Sequence, residues 1–205
     1  MKLAILDCIG TLNVEGEDSI VAFKDWRPQE GALEAVAQLN RGGWYVTLAT
    51  NQPGLGRGSF DVTELNVLHQ RMLRELAAVG ARIEAVFFCP HTPDEHCACR
   101  KPAPGLLQQI ATRYGAEPHE VWVIGQESKH LQAGEAMGAN LVWLQLGAQA
   151  PATQWGPTWY GCNWVRRHLP RRSSRTCPSL PAGSCWPMPW PQMCKLRYFL
   201  HHLHP

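Results

Sequence analysis

A single carboxylate directly follows the first apolar run of the chain. Leu3-Ala4-Ile5-Leu6 reads as a short buried strand, and Asp7 is the next residue. In an open α/β sheet, side chains just beyond the strand ends line the crevice in which ligands bind. Gly10 and Thr11 follow closely; they allow a tight turn and offer backbone N–H and hydroxyl groups to an anion. Asp7 is therefore predicted to lie in an anion-binding crevice.

Polar groups also follow or flank three later apolar runs. They are, in chain order, Thr50-Asn51-Gln52, Gly54-Leu55-Gly56-Arg57-Gly58, Arg100-Lys101 and Gly125-Gln126-Glu127. The first group offers a hydroxyl and amides to phosphoryl oxygens, and the glycines of the second, predicted as a loop, let a ligand approach the backbone closely. Because the carboxyl ends of parallel strands share one edge of a sheet, we expect all four groups beside Asp7.

Four metal-binding side chains lie within eleven residues. Cys89 and His91 are separated by one residue, as are Cys97 and Cys99. Three sulfurs and an imidazole in a proline-containing loop suit a tetrahedral structural zinc ion, with His96 as a possible substitute ligand. The alternative is a set of reduced thiols in a flexible loop. Zinc would fix the loop and so aim the residues that follow it.

The segments between these groups predict an α/β fold with a doubly wound parallel sheet over residues 1–147. Strands are predicted at residues 3–6, 44–49, 85–88, 121–124 and 141–144. Helices are predicted at residues 31–43, 61–79, 104–114 and 129–137. Asp61 and Glu64 form a capping-box-like start to the second helix, and Gly138 ends the last one.

Composition limits the class of protein. With 45% apolar and 18% charged residues, most of the chain can bury a core, and a net charge of +2 gives no reason to expect a nucleic-acid partner. The N-terminal apolar run is too short for a signal peptide, and no segment approaches the ~20 apolar residues of a membrane span. We therefore expect a cytoplasmic protein without a membrane partner, whose eight cysteines are thiols or metal ligands.

Residues 148–205 form a second predicted unit, a tail of another kind. Residues 151–205 hold nine Pro, five Trp, four Cys and no acid, without helical or alternating periodicity. This composition is typical of out-of-frame translation of a GC-rich gene, so we hypothesise a frameshift-derived or disordered tail. An intact open reading frame in another frame of the coding DNA would support the frameshift. We expect no further strand or helix after residue 147. The alternative is a basic aromatic arm for nucleic acid or membrane, carried by Arg166, Arg167, Arg171, Arg172 and Arg175.

The order of the motifs resembles that of the haloacid dehalogenase (HAD) phosphatases, in particular the bacterial branch acting on heptose bisphosphate and histidinol phosphate. The residues that carry the resemblance are Leu6-Asp7 with Gly10-Thr11, Ala49-Thr50-Asn51-Gln52 with Gly54 and Arg57-Gly58, Cys89-Pro90-His91, and Cys97-Ala98-Cys99-Arg100-Lys101-Pro102 with Pro104-Gly105. The resemblance ends near residue 147. It implies a HAD-like, Rossmann-type fold with a zinc loop and magnesium-dependent hydrolysis of a sugar phosphate, in the pathway to lipopolysaccharide heptose.

The resemblance also implies roles for single residues. Asp7 would attack phosphorus and form an aspartyl-phosphate, while Lys101 would offset the charge that develops. Magnesium would lie against Asp7, the backbone carbonyl of Ile9 and position 126. Thr50 and Lys101 would hold the transferring phosphate, with Asn51 as a further phosphate-binding residue. Arg57 and Arg100 would bind the sugar or the second phosphate. The same zinc ligands are implied: Cys89, His91, Cys97 and Cys99.

Three positions depart from the family pattern. The family has a general acid and base at position 9, a magnesium-binding aspartate at position 126 and a further acid at position 130; this chain has Ile9, Gln126 and His130. General acid catalysis alone contributes roughly 10²- to 10⁴-fold in rate. Magnesium prefers carboxylate oxygens, for which Glu127 is a partial substitute. We therefore expect a weakened or lost magnesium site and a severely impaired phosphatase.

Three interpretations follow. The first is an impaired hydrolase of heptose bisphosphate, or alternatively of histidinol phosphate, that acts as a monomer on a small phosphorylated sugar. The second is a non-catalytic pseudoenzyme that binds a phosphosugar. The third is a remnant that does not fold stably, because the tail replaces the last elements of the sheet.

Overall fold

The computed structural model describes residues 1–14, 26–146 and 159–164. The strands are β1 Leu3–Leu6, β2 Tyr45–Asn51, β3 Ala85–Cys89, β4 Val121–Gly125, β5 Asn140–Leu146 and β6 Trp159–Trp164. The helices are α1 Ala32–Arg41, α2 Pro53–Gly56, α3 Val62–Ala78, α4 Gly105–Tyr114 and α5 Ser128–Met137. Short 3-10 turns at Pro93–Glu95 and Pro118–Glu120 complete the described elements.

All six strands form one parallel sheet in the order β3-β2-β1-β4-β5-β6. Strand β1 is central: Leu6 pairs with Leu48 of β2 on one side and with Ile124 of β4 on the other. From β1 the chain adds β2 and β3 on one side, and it then adds β4, β5 and β6 on the other side. Such a topological switch point opens a crevice at the carboxyl ends of the strands. The predicted doubly wound sheet is confirmed, and Asp7 follows its central strand.

Both faces of the sheet are covered, which makes three layers. The four residues of β1 alternate between two hydrophobic cores: Ala4 and Leu6 pack in one, Leu3 and Ile5 in the other. The first core is completed by α1 and α3, the second by α4 and α5. Because a parallel sheet is buried on both faces, β1 reads as a continuous apolar run.

The helix ends agree with the local sequence signals. The Asp61 side chain accepts from the Glu64 N–H, and the Glu64 side chain accepts from the Asp61 N–H, so the predicted capping box is confirmed. Gly138 ends α5 in the left-handed conformation, with φ of 79°. No helix within the described ranges is long and apolar enough to cross a bilayer.

Two sequence-based expectations need correction. The segment predicted as a glycine loop begins with a helical turn, α2, because Pro53 pre-sets the backbone of a first helical residue. The expectation of no strand after residue 147 is wrong: β6 extends the sheet beside β5. Aromatic residues favour strands, and an unpaired edge of β5 provides a template, so a non-alternating segment can still pair. The rest of the predicted tail, with its arginines, lies outside the described residues.

Candidate active site

Asp7 directly follows the central strand β1 and is almost completely buried. Its Oδ1 accepts from the Cys8 N–H at 2.8 Å and forms an ion pair with Lys101 Nζ at 2.8 Å. Its Oδ2 is buried without a hydrogen-bond partner among the described residues, as is Thr11 Oγ1. Leaving a buried carboxylate oxygen and a hydroxyl unsatisfied is costly, and such orphans are typical of ligand sites. The orphaned oxygens are therefore available to an external group.

The Lys101 ammonium contacts most of the polar groups around Asp7, and 1% of its side chain is exposed. Besides Asp7, it donates to the Ala49 carbonyl at 3.1 Å and to His130 Nδ1 at 3.3 Å. The Glu127 carboxylate lies 3.5 Å away. Three N–H groups thus meet three close acceptors, which satisfies a buried charge that would otherwise be very unfavourable.

His130 is held as a neutral imidazole. Its Nε2 donates to the Ile5 carbonyl at 3.2 Å, which leaves Nδ1 as an acceptor for Lys101. Burial, followed by the neighbouring Lys101 charge, holds the pKa of His130 well below its usual value. His130 therefore replaces an acid with a neutral acceptor. Sequence reasoning identified this departure but missed its contact with Lys101.

Glu127 supplies the second carboxylate near the Lys101 ammonium. It stands at the N-terminus of α5, and its side chain is 43% exposed. Burial raises the pKa of Glu127, the Lys101 ammonium opposes that rise, and the Asp7 carboxylate adds to it. Two carboxylates thus share one ammonium, and the partly exposed one faces solvent.

Asn51 contacts protein backbone. Its Nδ2 donates to the Lys101 carbonyl at 3.1 Å, and its Oδ1 accepts from the Lys101 N–H at 3.1 Å. The position of Asn51 at the end of β2 predicts a phosphate ligand, whereas both of these hydrogen bonds are made to the backbone of Lys101. No sequence signal pointed to this reciprocal pair, because the two residues are fifty positions apart.

The other predicted phosphate and substrate residues divide into buried and exposed groups. Thr50 is buried as part of β2, beside Asp7 at the same edge of the sheet. Arg57 is exposed at the end of α2. Arg100 is half-buried, and its Nη1 donates to the His91 carbonyl at 3.0 Å. Arg100 is therefore tied to the cysteine-rich loop, whereas Arg57 is open to solvent.

The other two departures from the family pattern, Ile9 and Gln126, differ in their surroundings. Ile9 is half-buried and packs against the first hydrophobic core. Gln126 is half-buried, and its Oε1 lies 3.1 Å from the point where a side chain on Gly10 would begin. Gly10 has φ of 73°, a conformation that favours glycine, so the Asp7 loop and the Gln126 amide meet closely.

Gly125 lets α5 approach the loop that carries Asp7. A Cβ on Gly125 would lie 3.0 Å from His130 Cδ2 and 3.2 Å from Asp7 Cβ. Both separations are shorter than ordinary van der Waals contact, so any larger residue would push apart the groups around Lys101.

A second cluster lies at the carboxyl end of β3. The ligand atoms of Cys89, His91, Cys97 and Cys99 all lie within 4.8 Å of one another. The six pairs include Cys89–Cys97 at 3.5 Å, Cys89–Cys99 at 3.3 Å and His91–Cys99 at 3.3 Å. A tetrahedral ion with bonds of about 2.3 Å to sulfur would separate neighbouring sulfurs by about 3.8 Å, close to this spacing. The four predicted ligands are thus brought together in the geometry of a metal site.

The thiols of this cluster differ in acidity. Burial, with a hydrogen bond to Cys99, raises the pKa of Cys89 to about 12. Desolvation also raises the pKa of Cys97, but hydrogen bonds with Cys99 and Cys89 lower it overall to about 7. Burial also raises the pKa of Cys99, so binding of a cation would have to displace protons mainly from Cys89 and Cys99. His96, the suggested substitute ligand, is exposed and outside the cluster.

The groups near Asp7 provide the oxygen ligands that magnesium prefers, but they carry less negative charge than a pair of carboxylates would. Asp7 offers a buried carboxylate, and Gln126 offers an amide oxygen beside the same loop. Magnesium accepts such oxygens, but two carboxylates bind it more strongly than a carboxylate and an amide. The nearby Lys101 ammonium adds further repulsion. The residues present therefore fit a weak magnesium site.

An open groove of about 760 Å³ lies between α2, the start of α3 and the cysteine-rich loop. Its wall is apolar at Leu55, Phe60 and Phe88, and acidic at Asp61, Glu64 and Glu95. Asp7 and Lys101 do not line it. The groove is therefore separate from the Asp7–Lys101 pair, and its carboxylates would repel a phosphate.

Comparison with known proteins agrees with this geometry. The HAD-hydrolase-like family model matches residues 98–160. D-glycero-beta-D-manno-heptose-1,7-bisphosphate 7-phosphatase of Bordetella bronchiseptica is 42% identical over 147 residues, 72% of this chain and 82% of that protein. The histidine biosynthesis bifunctional protein HisB of Legionella pneumophila is 30% identical over 142 residues, 69% of this chain but 40% of that protein.

Comparison with a solved structure identifies a relative of the same kind. The D,D-heptose 1,7-bisphosphate phosphatase of B. bronchiseptica, crystallised with magnesium and phosphate, superposes with a TM-score of 0.68 and 42% identity, covering 71% of this chain and 81% of that one. The similarity spans most of the relative's length. The chain therefore belongs to the heptose-1,7-bisphosphate 7-phosphatase family of HAD-like hydrolases.

Proposed function

We propose that this protein hydrolyses a phosphomonoester of the heptose-bisphosphate type through an aspartyl-phosphate on Asp7, at a severely reduced rate. The observation that carries the proposal is the asymmetry of the Asp7 carboxylate. Lys101 and the Cys8 N–H engage Oδ1, while Oδ2 is buried and free of partners among the described residues. One oxygen is held and the other is available for attack, as nucleophilic catalysis requires.

The first chemical step uses residues that are present. Asp7 Oδ2 attacks phosphorus, and the bond from phosphorus to the leaving sugar oxygen breaks. The Lys101 ammonium and the buried hydroxyls of Thr11 and Thr50 stabilise charge on the phosphoryl oxygens. When bound, magnesium would neutralise part of that charge, held by Asp7, the Ile9 carbonyl and Gln126.

Proton transfer is the defective part of the reaction. The leaving sugar oxygen needs a proton, and the water that attacks the aspartyl-phosphate needs a base; in this chain solvent water has to serve as both. The Ile9 side chain supplies neither and packs against the core instead. The expected loss from this change alone is roughly 10²- to 10⁴-fold. The weak magnesium site lowers the rate further.

Heptose bisphosphate is the preferred substrate in this proposal, and histidinol phosphate is the alternative. The heptose-specific relative is 42% identical and the histidine-pathway relative 30%. A phosphate-release assay with both substrates, with and without magnesium, tests the choice and the impairment together. A turnover near 1 s⁻¹ or above, the low end of ordinary enzymes, would contradict the impairment.

A non-catalytic binder of a phosphorylated sugar is the second candidate. It is favoured by the intact anion-binding groups, namely Lys101 and the buried Thr11 and Thr50 hydroxyls, beside a lost proton donor. Calorimetry with a sugar phosphate distinguishes the two: micromolar binding without phosphate release favours the binder. Slow release of phosphate favours the impaired enzyme.

We further propose that the Cys89, His91, Cys97 and Cys99 cluster holds a structural zinc ion. Soft sulfur ligands and one imidazole at near-tetrahedral spacing support this choice over magnesium. Cysteines that are to bind zinc must stay reduced, which supports a cytoplasmic location. We also propose that the protein acts as a monomer without a further protein partner. Sedimentation analysis tests the oligomeric state.

A further inference from the structure

Asn51 and Lys101 form a reciprocal pair of hydrogen bonds. The Asn51 amide donates to the Lys101 carbonyl and accepts from the Lys101 N–H, both at 3.1 Å. An amide side chain that pairs with both polar groups of one residue imitates a step of a β-ladder. It joins the end of β2 to the turn after Cys99, which no strand connects to the sheet.

Lys101 is held at its other end by the same strand. Its ammonium donates to the carbonyl of Ala49, two residues before Asn51 on β2. The backbone and the tip of one buried side chain are thus both attached to β2. This arrangement leaves the Lys101 side chain little freedom between its two ends, and it directs Nζ to Asp7 Oδ1.

We propose that Asn51 is a positioning residue that holds Lys101 against Asp7, and that it acts on phosphate through Lys101 rather than as a direct ligand. The proposal deepens the proposed function, because it rests on Lys101 as the group that stabilises phosphoryl charge. A lysine ammonium is a point charge on a flexible stem, so its electrostatic effect depends on how its backbone is fixed.

Without Asn51, the turn that carries Lys101 loses both of these links to β2. The ammonium then retains only its own contacts with Ala49, Asp7 and His130. Because the Lys101 backbone is no longer fixed to Asn51, we expect these contacts to lengthen, with Nζ moving away from His130 and Asp7. His130 Nδ1 reports this movement, because it accepts from Lys101 and its other nitrogen stays bonded to Ile5.

The test uses nitrogen chemical shifts of His130 in full-length protein labelled with ¹⁵N-histidine. Lys101→Met defines the shift of Nδ1 without its donor. Asn51→Ala is expected to move the Nδ1 shift at least halfway from the wild-type value towards that reference. Asn40→Ala is the matched control, because the Asn40 amide also bonds two backbone groups, at Trp44 and Arg82, away from Asp7. It should leave the His130 shift unchanged.

A second measurement separates positioning from direct binding. The dissociation constant of inorganic phosphate is measured by calorimetry for wild type, Asn51→Ala, Lys101→Met and the double variant. Asn51→Ala should weaken binding at least fivefold alone and less than twofold in the Lys101→Met background. Equal losses in both backgrounds, with an unmoved His130 shift, would overturn the proposal and make Asn51 a phosphate ligand.

Two further outcomes remain informative. If wild-type protein does not bind phosphate, the proposed function fails, while the His130 shift still decides the role of Asn51. If either truncation does not fold, a crystal structure of Asn51→Ser replaces it, since a serine hydroxyl is too short to bridge both Lys101 groups. A Lys101 Nζ–Asp7 Oδ1 distance unchanged in that variant contradicts the proposal.

Discussion

Lys101 Nζ lies 2.8 Å from Asp7 Oδ1, with 1% and 2% of the two side chains exposed. The pair joins the loop after β1 to the turn before α4, ninety-four positions apart in the chain. It neutralises a carboxylate that would otherwise be buried alone. It also leaves only one Asp7 oxygen free for chemistry.

Removal of Lys101 is expected to destabilise the protein. Lys101→Met should lower the free energy of unfolding by about 3–5 kcal/mol, because it leaves the buried Asp7 carboxylate uncompensated. Urea unfolding of the variant and of Lys129→Met, an exposed lysine on α5, makes the comparison. A loss in Lys101→Met no larger than that in Lys129→Met would show that the ion pair is not needed for folding.

Restoration of two carboxylates is expected to restore catalysis. Ile9→Asp with Gln126→Asp should raise phosphate release from heptose bisphosphate at least about 100-fold, because a general acid alone contributes that much. Ile9→Asn with Gln126→Asn is the control, since these amides are similar in size but provide no acid and no added charge. Equal rates in the two double variants would mean that the defect lies elsewhere.

Stability is expected to fall below about pH 6.5 because of His130. Its pKa is lowered in the folded state, so the unfolded chain takes up a proton that the folded protein excludes. The free energy of unfolding should then drop by about 1.4 kcal/mol per pH unit below the unfolded pKa, and be fully retained above it. Glu127, whose pKa is raised, acts in the opposite direction above about pH 4.5.

The contribution of His130 is obtained as a difference. Urea unfolding between pH 5.5 and 7.5 is compared for wild type and His130→Gln, in which Glu127 contributes similarly and an acceptor for Lys101 remains. His119→Gln, at an exposed histidine, should follow the wild-type curve. A wild-type slope that matches His130→Gln would contradict a neutral, buried His130.

Zinc content should follow the geometry of the cluster. Wild type should contain one zinc per chain by elemental analysis, and His91→Asn should lose zinc and melt at a lower temperature, because one of four ligands is removed. His96→Asn is the matched control, since His96 is exposed outside the cluster and asparagine tolerates its φ of 46°. Retention of zinc by His91→Asn together with loss in His96→Asn would reverse the assignment.

Local sequence signals decided most of the elements. The apolar run before Asp7, the Asp61–Glu64 capping box and Gly138 predicted the elements they belong to, because their physics acts over a few residues. The Cys89–Cys99 cluster was likewise predicted from spacing, since all four ligands lie within eleven residues. The strand β6 was missed because its pairing depends on the edge offered by β5 rather than on its own pattern.

The sequence by itself determined the order of strands β1 to β5 and of the longer helices between them, the family resemblance and the absence of carboxylates at positions 9 and 126. Only the tertiary structure decided which groups share Lys101, which oxygen of Asp7 is left free and that Asn51 faces backbone. Residue types specify what a side chain can bond to. Which of many possible partners it meets depends on contacts between residues as far apart as Ile5 and His130, and only folding of the whole sheet fixes these.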